Sequence, residues 1–204
     1  MRRWCSGGST RFFGEKVTTP EEALAKLRAG NERFASGNSK RAGAQHPFAI
    51  VLGCSDSRVP VETIFDQAPG NIFVVRVAGN FLTNEGLGSI EYSIAVLEST
   101  LILVLGHSNC GAVGAAVAFV ENGKPQPGHI QDLVAAIEPA ARATRDENGD
   151  WIANAVAENV RRTTKALKER SSIIARGVEE GALRVAGGVY DLNTRGVRLI
   201  VQDL

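Results

Sequence analysis

An excess of charge of either sign is missing from this chain: 23 Lys and Arg stand against 22 Asp and Glu over 204 residues, for a formal net charge of +1. A basic field of the kind that selects nucleic acid or an anionic membrane surface is therefore excluded. Also missing is any apolar run near the roughly 18 residues that cross a bilayer. The opening MRRWCSGGSTRFFGEK is positively charged but has no apolar stretch of signal-peptide length. Cytoplasm is the default compartment, and a secreted chain whose signal had been removed would read the same way. Cysteine is scarce, at 5, 54 and 110 only, too few and too odd in number for the disulfide framework of a small secreted domain. These residues read as thiols. Cys5 sits in a polar lead, residues 1–17, expected to be flexible and to carry it as an incidental thiol.

With 44% hydrophobic residues, no internal repeat and no low-complexity tract, residues 18–204 read as a single domain. Thr19-Pro20-Glu21-Glu22 opens an amphipathic helix over residues 19–34, with a cap, a first-position proline and first-turn acids. A polar stretch, 38–45, leads into a continuous apolar run at 48–52, the mark of a strand buried on both faces. Similar runs recur at 72–77, 101–105 and 183–189, and an alternating one at 197–201. Helical patterns fill the intervals at 89–97, 111–120, 130–143 and 151–170, the last with Ile152, Val156, Val160, Thr163 and Leu167 along one stripe. Alternation of this kind predicts an α/β fold with an open, mainly parallel sheet covered by helices on both faces. Only residues 191–196 separate the last two strands, and Asn193-Thr194-Arg195-Gly196 reads as a hairpin turn, so the final strand should be an antiparallel edge.

Two loops that follow strands hold the best metal ligands: Gly53-Cys54-Ser55-Asp56-Ser57-Arg58 and Gly106-His107-Ser108-Asn109-Cys110-Gly111. Ligands bind at the carboxyl ends of strands in open α/β sheets, which suits both loops if the first and third strands are neighbours. Gly53 and Gly106 are expected to let each loop turn sharply. Two thiolates and an imidazole suit zinc, and three protein ligands leave a fourth corner for water, as catalytic sites require. The small apolar stretch 111–120 reads as a buried helix whose positive end favours the Cys110 thiolate. Asp56 and Arg58, two apart, can form a charge-assisted bidentate pair. The carboxylate then either orients a zinc-bound hydroxide or takes the fourth zinc position and shuts the site.

Taken singly, each of these residues has an ordinary reading: buried Cys is usually inert packing, and Ser55, Ser57, Ser108 and Asn109 are common loop and cap residues. Together they place every strong ligand type where packing alone favours apolar side chains. A serine-hydrolase elbow needs the absent G-x-S-x-G, and the glycines of GHSNCGAVGAA do not match a dinucleotide fingerprint. His46 and His129 are not spaced as partners in a structural zinc site. Both read as surface histidines that offer a possible proton route.

The pair C-x-D-x-R at 54–58 and H-x-x-C at 107–110 resembles the β-class carbonic anhydrases. The likeness extends through FDQAPGNIFVVRVAGN at 65–80, the helix start at 88–92 and GGVYDL at 187–192. This resemblance implies a four-stranded parallel sheet in the order 2-1-3-4 with an added edge strand. It also implies an N-terminal helical arm that wraps a second subunit in an obligate dimer, with larger even-numbered assemblies such as tetramers common. The implied cofactor is one zinc per subunit on Cys54, His107 and Cys110, with Asp56 and Arg58 governing the fourth position. The implied reaction is reversible hydration of carbon dioxide to bicarbonate and a proton by zinc-bound hydroxide, with the Gly111 amide contacting an oxygen. Rival readings are a related hydrolase of carbon disulfide or carbonyl sulfide, and a non-catalytic zinc-stabilised protein. Two positions depart from the pattern. The glutamine that contacts substrate in some members stands one residue early, as Gln67 before Ala68. Val51 occupies the place of a tryptophan in a bicarbonate-regulated subgroup, whose other pocket members match Arg76 and Tyr190.

Overall fold

A computed structural model describes residues 45–202. The lead at 1–17 with Cys5, the helix expected over 19–34 and nearly all of the polar stretch 38–45 lie outside the described residues.

Among the described residues five strands form one sheet: β1 Ala49–Gly53, β2 Ile72–Arg76, β3 Leu101–His107, β4 Arg184–Tyr190 and β5 Val197–Val201. Their spatial order is β2-β1-β3-β4-β5. Every pair is parallel except β4 with β5, which is antiparallel. The hairpin between them closes as expected: Asp191 N–H donates to Gly196 C=O, and Asp191 Oδ1 accepts the amides of Asn193 and Thr194. Among the described residues six helices connect the strands: α1 Val61–Ile64, α2 Asn84–Ala95, α3 Gly111–Asn122, α4 Ile130–Ala143, α5 Trp151–Arg170 and α6 Ser172–Glu179.

Strand pleating divides the core in two. Ile50, Leu52, Ile102, Val104 and Val185 point to the face covered by α2, α5 and α6, where they meet Ile90, Val160, Leu167 and Ile174. Val51, Leu103, Leu105 and Ala186 point the other way and pack with Val59 and Val61 at α1. A separate cluster joins α3, α4 and α5 around Cys54 and Cys110.

Several local expectations shift. α2 begins at Asn84 rather than at 89, because Thr83 caps it by accepting the Gly86 amide at 3.0 Å, a local bond that the glycines 86 and 88 obscure in the apolar pattern. α6 was not expected; Ser171, extended at φ −129°, ends α5 and caps the new helix through the Ile174 amide. β2 reads as a strand buried on both faces, yet among the described residues it lies at the sheet edge with β1 as its one strand partner, half-buried at Ile72–Val75 and exposed at Arg76. β3 runs on through His107, which pairs with Tyr190, so this histidine ends a strand instead of lying in a loop.

Neither Gly53 nor Gly106 makes a turn; both are strand residues without positive φ. What Gly106 supplies is space, since a Cβ there would stand 2.8 Å from Val160 Cγ2 and 3.2 Å from Val156 Cγ1 of α5. Valine is stiff about χ1, so the helix would have to move. Gly106→Ala should cost about 1–3 kcal/mol, read as a lower urea midpoint. Adding Val160→Ala in the same chain should recover part of that loss, since the two positions share one contact; an unchanged midpoint for Gly106→Ala would show the interface to be looser than described.

Candidate metal centre

β1 and β3 lie side by side, and the chain leaves them in different directions, opening a crevice at their carboxyl ends. Cys54 follows β1 directly. Its backbone is held from β2, where Arg76 donates from Nε to Cys54 C=O at 2.9 Å and from Nη2 to Asp56 C=O at 2.7 Å. The loop then folds on itself, with Val59 N–H donating to Asp56 C=O and Arg58 N–H to Asp56 Oδ1 at 2.9 Å. Asn109, at φ +55°, turns the second loop so that Cys110 becomes the N-cap residue of α3.

These elements bring three buried donors together. Among the described residues, Cys54, His107 and Cys110 form the set of His, Cys and carboxylate groups whose ligand atoms all lie within 4.8 Å of one another. The two sulfurs stand 3.9 Å apart, against about 3.8 Å for two sulfurs on a tetrahedral ion at about 2.3 Å each. His107 is fully buried. Its Nδ1 lies 2.9 Å from Ser108 C=O; a carbonyl only accepts, so Nδ1 carries the hydrogen and Nε2 presents its lone pair. That Nε2 has no hydrogen-bond partner, and among the described residues only Asn80 Nδ2 shares this condition. An orphaned buried nitrogen costs roughly 1–3 kcal/mol, which a metal bond offsets. The donor set of two sulfurs and one nitrogen fits zinc.

The thiols differ in acidity. Hydrogen bonding from Cys110, opposed by burial and aided by the Gly79 amide, pulls the Cys54 thiol well below its ordinary range. Cys110 is pushed up by its hydrogen bond to Cys54, by burial and by the Cys54 charge, while the first-turn amides of Ala112 and Val113 pull the other way without a capping bond. Two buried thiols thus compete for one proton, a conflict that a divalent cation removes by accepting both as thiolates.

Asp56 lies beside this cluster but outside the mutually close set. Arg58 holds both its oxygens, Nε to Oδ1 at 3.0 Å and Nη2 to Oδ2 at 2.7 Å. Asp56 Oδ2 is 3.8 Å from His107 Nε2, too far for a hydrogen bond. The remaining candidates differ in placement. Gly111 is the first residue of α3, so its N–H has no acceptor within the helix. Gln67 spends its amide inside its own loop, donating to Phe65 C=O and accepting from Asn71 Nδ2. It lines a cleft of about 280 Å³ with Phe48, Phe65, Ile72 and Leu103 that none of the three donors borders. Val51 and Tyr190 are buried in one cluster, while Arg76 is committed to the Cys54 loop. His46 is exposed, and His129 is fully exposed beside Asp132.

Two contacts at the centre were not anticipated. Gly79 N–H donates to Cys54 Sγ at 3.2 Å, and the buried Asn159 of α5 donates to Gly79 C=O at 2.8 Å. The available signal was Asn159 itself, a polar residue beside the apolar stripe of its helix.

A family model described as carbonic anhydrase matches residues 49–197. Carbonic anhydrase 2 of Mycobacterium tuberculosis is 39% identical over 187 residues, covering 86% of this chain and 90% of that protein. The carbonic anhydrase of Mycolicibacterium smegmatis is 38% identical over 193 residues, covering 89% and 94%. Coccomyxa β-carbonic anhydrase, solved in complex with acetazolamide, superposes with a TM-score of 0.72 at 27% identity, covering 93% of this chain and 89% of that one.

The Arg58 side chain, by its hydrogen bonds first and its charge last, holds the Asp56 carboxyl at about 2 instead of 3.8. A folded-state value below the unfolded one means that the pair stabilises the fold above the unfolded value and loses that contribution as pH falls through the folded one. A carbon-13 titration of the Asp56 carboxyl should give a midpoint of about 2 in the native chain and one moved toward 3.8 in Arg58→Ala. Equal midpoints in the two would show that Arg58 does not set the charge state.

Proposed function

This chain belongs to the carbonic anhydrase family, and on that premise we propose which of its residues carry the reaction. It is a zinc enzyme of the β class that interconverts carbon dioxide and bicarbonate, releasing or taking up a proton. Cys54, His107 and Cys110 hold one ion per chain. The observation that carries this assignment is the buried, unpartnered His107 Nε2 beside two thiols at tetrahedral spacing. Zinc, when bound there, supplies the Lewis acidity that makes water nucleophilic near neutral pH, tempered by the charge that two thiolates donate.

Asp56 is the orienting base. Its Oδ1 is committed to the Arg58 backbone N–H and Nε, whereas Oδ2 takes Nη2 and lies 3.8 Å from His107 Nε2. Oδ2 therefore accepts a hydrogen bond from the attacking water and turns a lone pair toward the carbon of carbon dioxide. Arg58 keeps the carboxylate ionised and aimed, and while it grips both oxygens Asp56 does not serve as a metal ligand; a closed state requires that pair to part. The Gly111 N–H donates to a substrate oxygen at the positive end of α3. Gln67 is given no substrate contact within its own chain, because both ends of its amide are occupied.

The assembly we infer is a homodimer. Among the described residues the outer edge of β2 has no strand partner, and Phe48, Tyr92 and Val96 are each half exposed or more, although large and apolar. Among the described residues no helix is long and apolar enough to cross a membrane. We place the enzyme in the cytoplasm, where two thiols 3.9 Å apart stay reduced.

Stopped-flow hydration of carbon dioxide with zinc analysis tests the assignment. Cys110→Ser should lose zinc and activity together. Asp56→Asn should keep zinc and lose roughly 10²-fold or more in rate. Full zinc content with no hydration by the native chain at and above neutral pH would sink the reading, and sulfide release from carbonyl sulfide in its place would replace it. Sedimentation should return twice the 21.7 kDa chain mass or an even multiple of it; a monomer would refute the dimer.

A further inference from the structure

Cys54 is held from both sides. Arg76 fixes its main chain from the open side of the crevice, and Gly79 N–H meets its sulfur from within. Gly79 has φ +85°, and a Cβ on it would stand 2.3 Å from Ile137 Cδ1 of α4 and 3.2 Å from Ala112 Cβ of α3. The next residue, Asn80, is also left-handed at φ +42° and buried to 1% exposure. Two successive left-handed residues, one of them not glycine, persist only where the surroundings impose them. On the carbonyl side stands Asn159, 3% exposed and 80 residues away in sequence, whose Nδ2 donates to Gly79 C=O at 2.8 Å.

We propose that Asn159 is a positioning residue of the metal centre, acting through Gly79 to keep a backbone N–H on the Cys54 sulfur. This rests on the assignment of Cys54 as a ligand. An N–H aimed at a thiolate draws charge from it, so the sulfur donates less to zinc and the ion keeps more of its Lewis acidity; such outer-shell groups also orient the ligand and raise affinity. A residue that only satisfies a buried carbonyl would stabilise the turn without touching the metal. The two roles differ in what reaches the sulfur.

Nuclear magnetic resonance of the nitrogen-15 chain loaded with cadmium-113 in place of zinc reads this directly, because scalar coupling passes from the metal through sulfur to a hydrogen-bonded amide. The native protein should show coupling to the Gly79 amide proton as well as to the Cys54 β protons. Asn159→Ala and the near-isosteric Asn159→Asp, whose carboxylate cannot donate to Gly79 C=O, should weaken or abolish the Gly79 coupling while keeping that of Cys54. Both should also lose zinc to a chelator roughly 10- to 100-fold faster. Thr164→Val serves as the structural control: it removes a buried hydrogen bond to Val160 C=O on the same helix and should leave coupling and zinc loss unchanged.

Coupling to the Cys54 protons without coupling to Gly79 in the native protein would overturn the proposal and leave the ligand assignment standing. No coupling to Cys54 at all would overturn the ligand assignment itself. Unchanged coupling and zinc loss in the Asn159 variants, or an equal change in Thr164→Val, would reduce Asn159 to a structural role. The native spectrum decides the hydrogen bond even if neither Asn159 variant folds.

Discussion

Parallel pairing of β1 with β3 is the constraint on which the centre depends. Gly53 lies opposite Leu105 in that ladder, so Cys54 leaves its strand at the level where β3 is about to end in His107. Main-chain hydrogen bonds between two buried strands thus bring the first thiol and the imidazole together before any loop contributes. The chain moves from β1 outward to β2, then returns across to β3 on the opposite side. That reversal keeps the seam uncovered at its carboxyl end, and the metal donors stand in the gap.

Charge is the second constraint. A carboxylate and a thiol that both ionise readily repel when they lie close together unless cations offset them, and the fold supplies two arginines with separate duties. Arg58 neutralises Asp56 and draws it to one side; Arg76 bonds the main-chain carbonyls of Cys54 and Asp56 and so sets the loop's shape. The inner side of the loop is left to chemistry, with the Cys54 thiol well below its ordinary range and that of Cys110 above. His107 completes the set with its tautomer chosen by one carbonyl.

α5 links the core to this centre. Its Val160 approaches the sheet over Gly106 and Gly187, where a Cβ would stand 2.8 and 2.7 Å away. Asn159, next along the helix, reaches Gly79 from the same close approach. Packing density against the strands and the direction of an amide on the Cys54 sulfur are therefore set by one helix position. A shift of α5 away from the sheet would loosen both.

Local chemistry in the sequence was enough to determine the alternation of strands and helices, the bounds of α4 and α5, the antiparallel final hairpin, and the gathering of Cys54, Asp56, Arg58, His107 and Cys110 at two strand exits. Residue type, apolar period and turn composition are properties of neighbouring residues, so one chain displays them. Tertiary structure alone decided that β2 lies at an edge, that β3 continues through His107, and that Gly106 provides room rather than a turn. It alone decided that Asn159 reaches across to Gly79. Each of these depends on strand register or on a partner tens of residues away, and no local pattern carries that information.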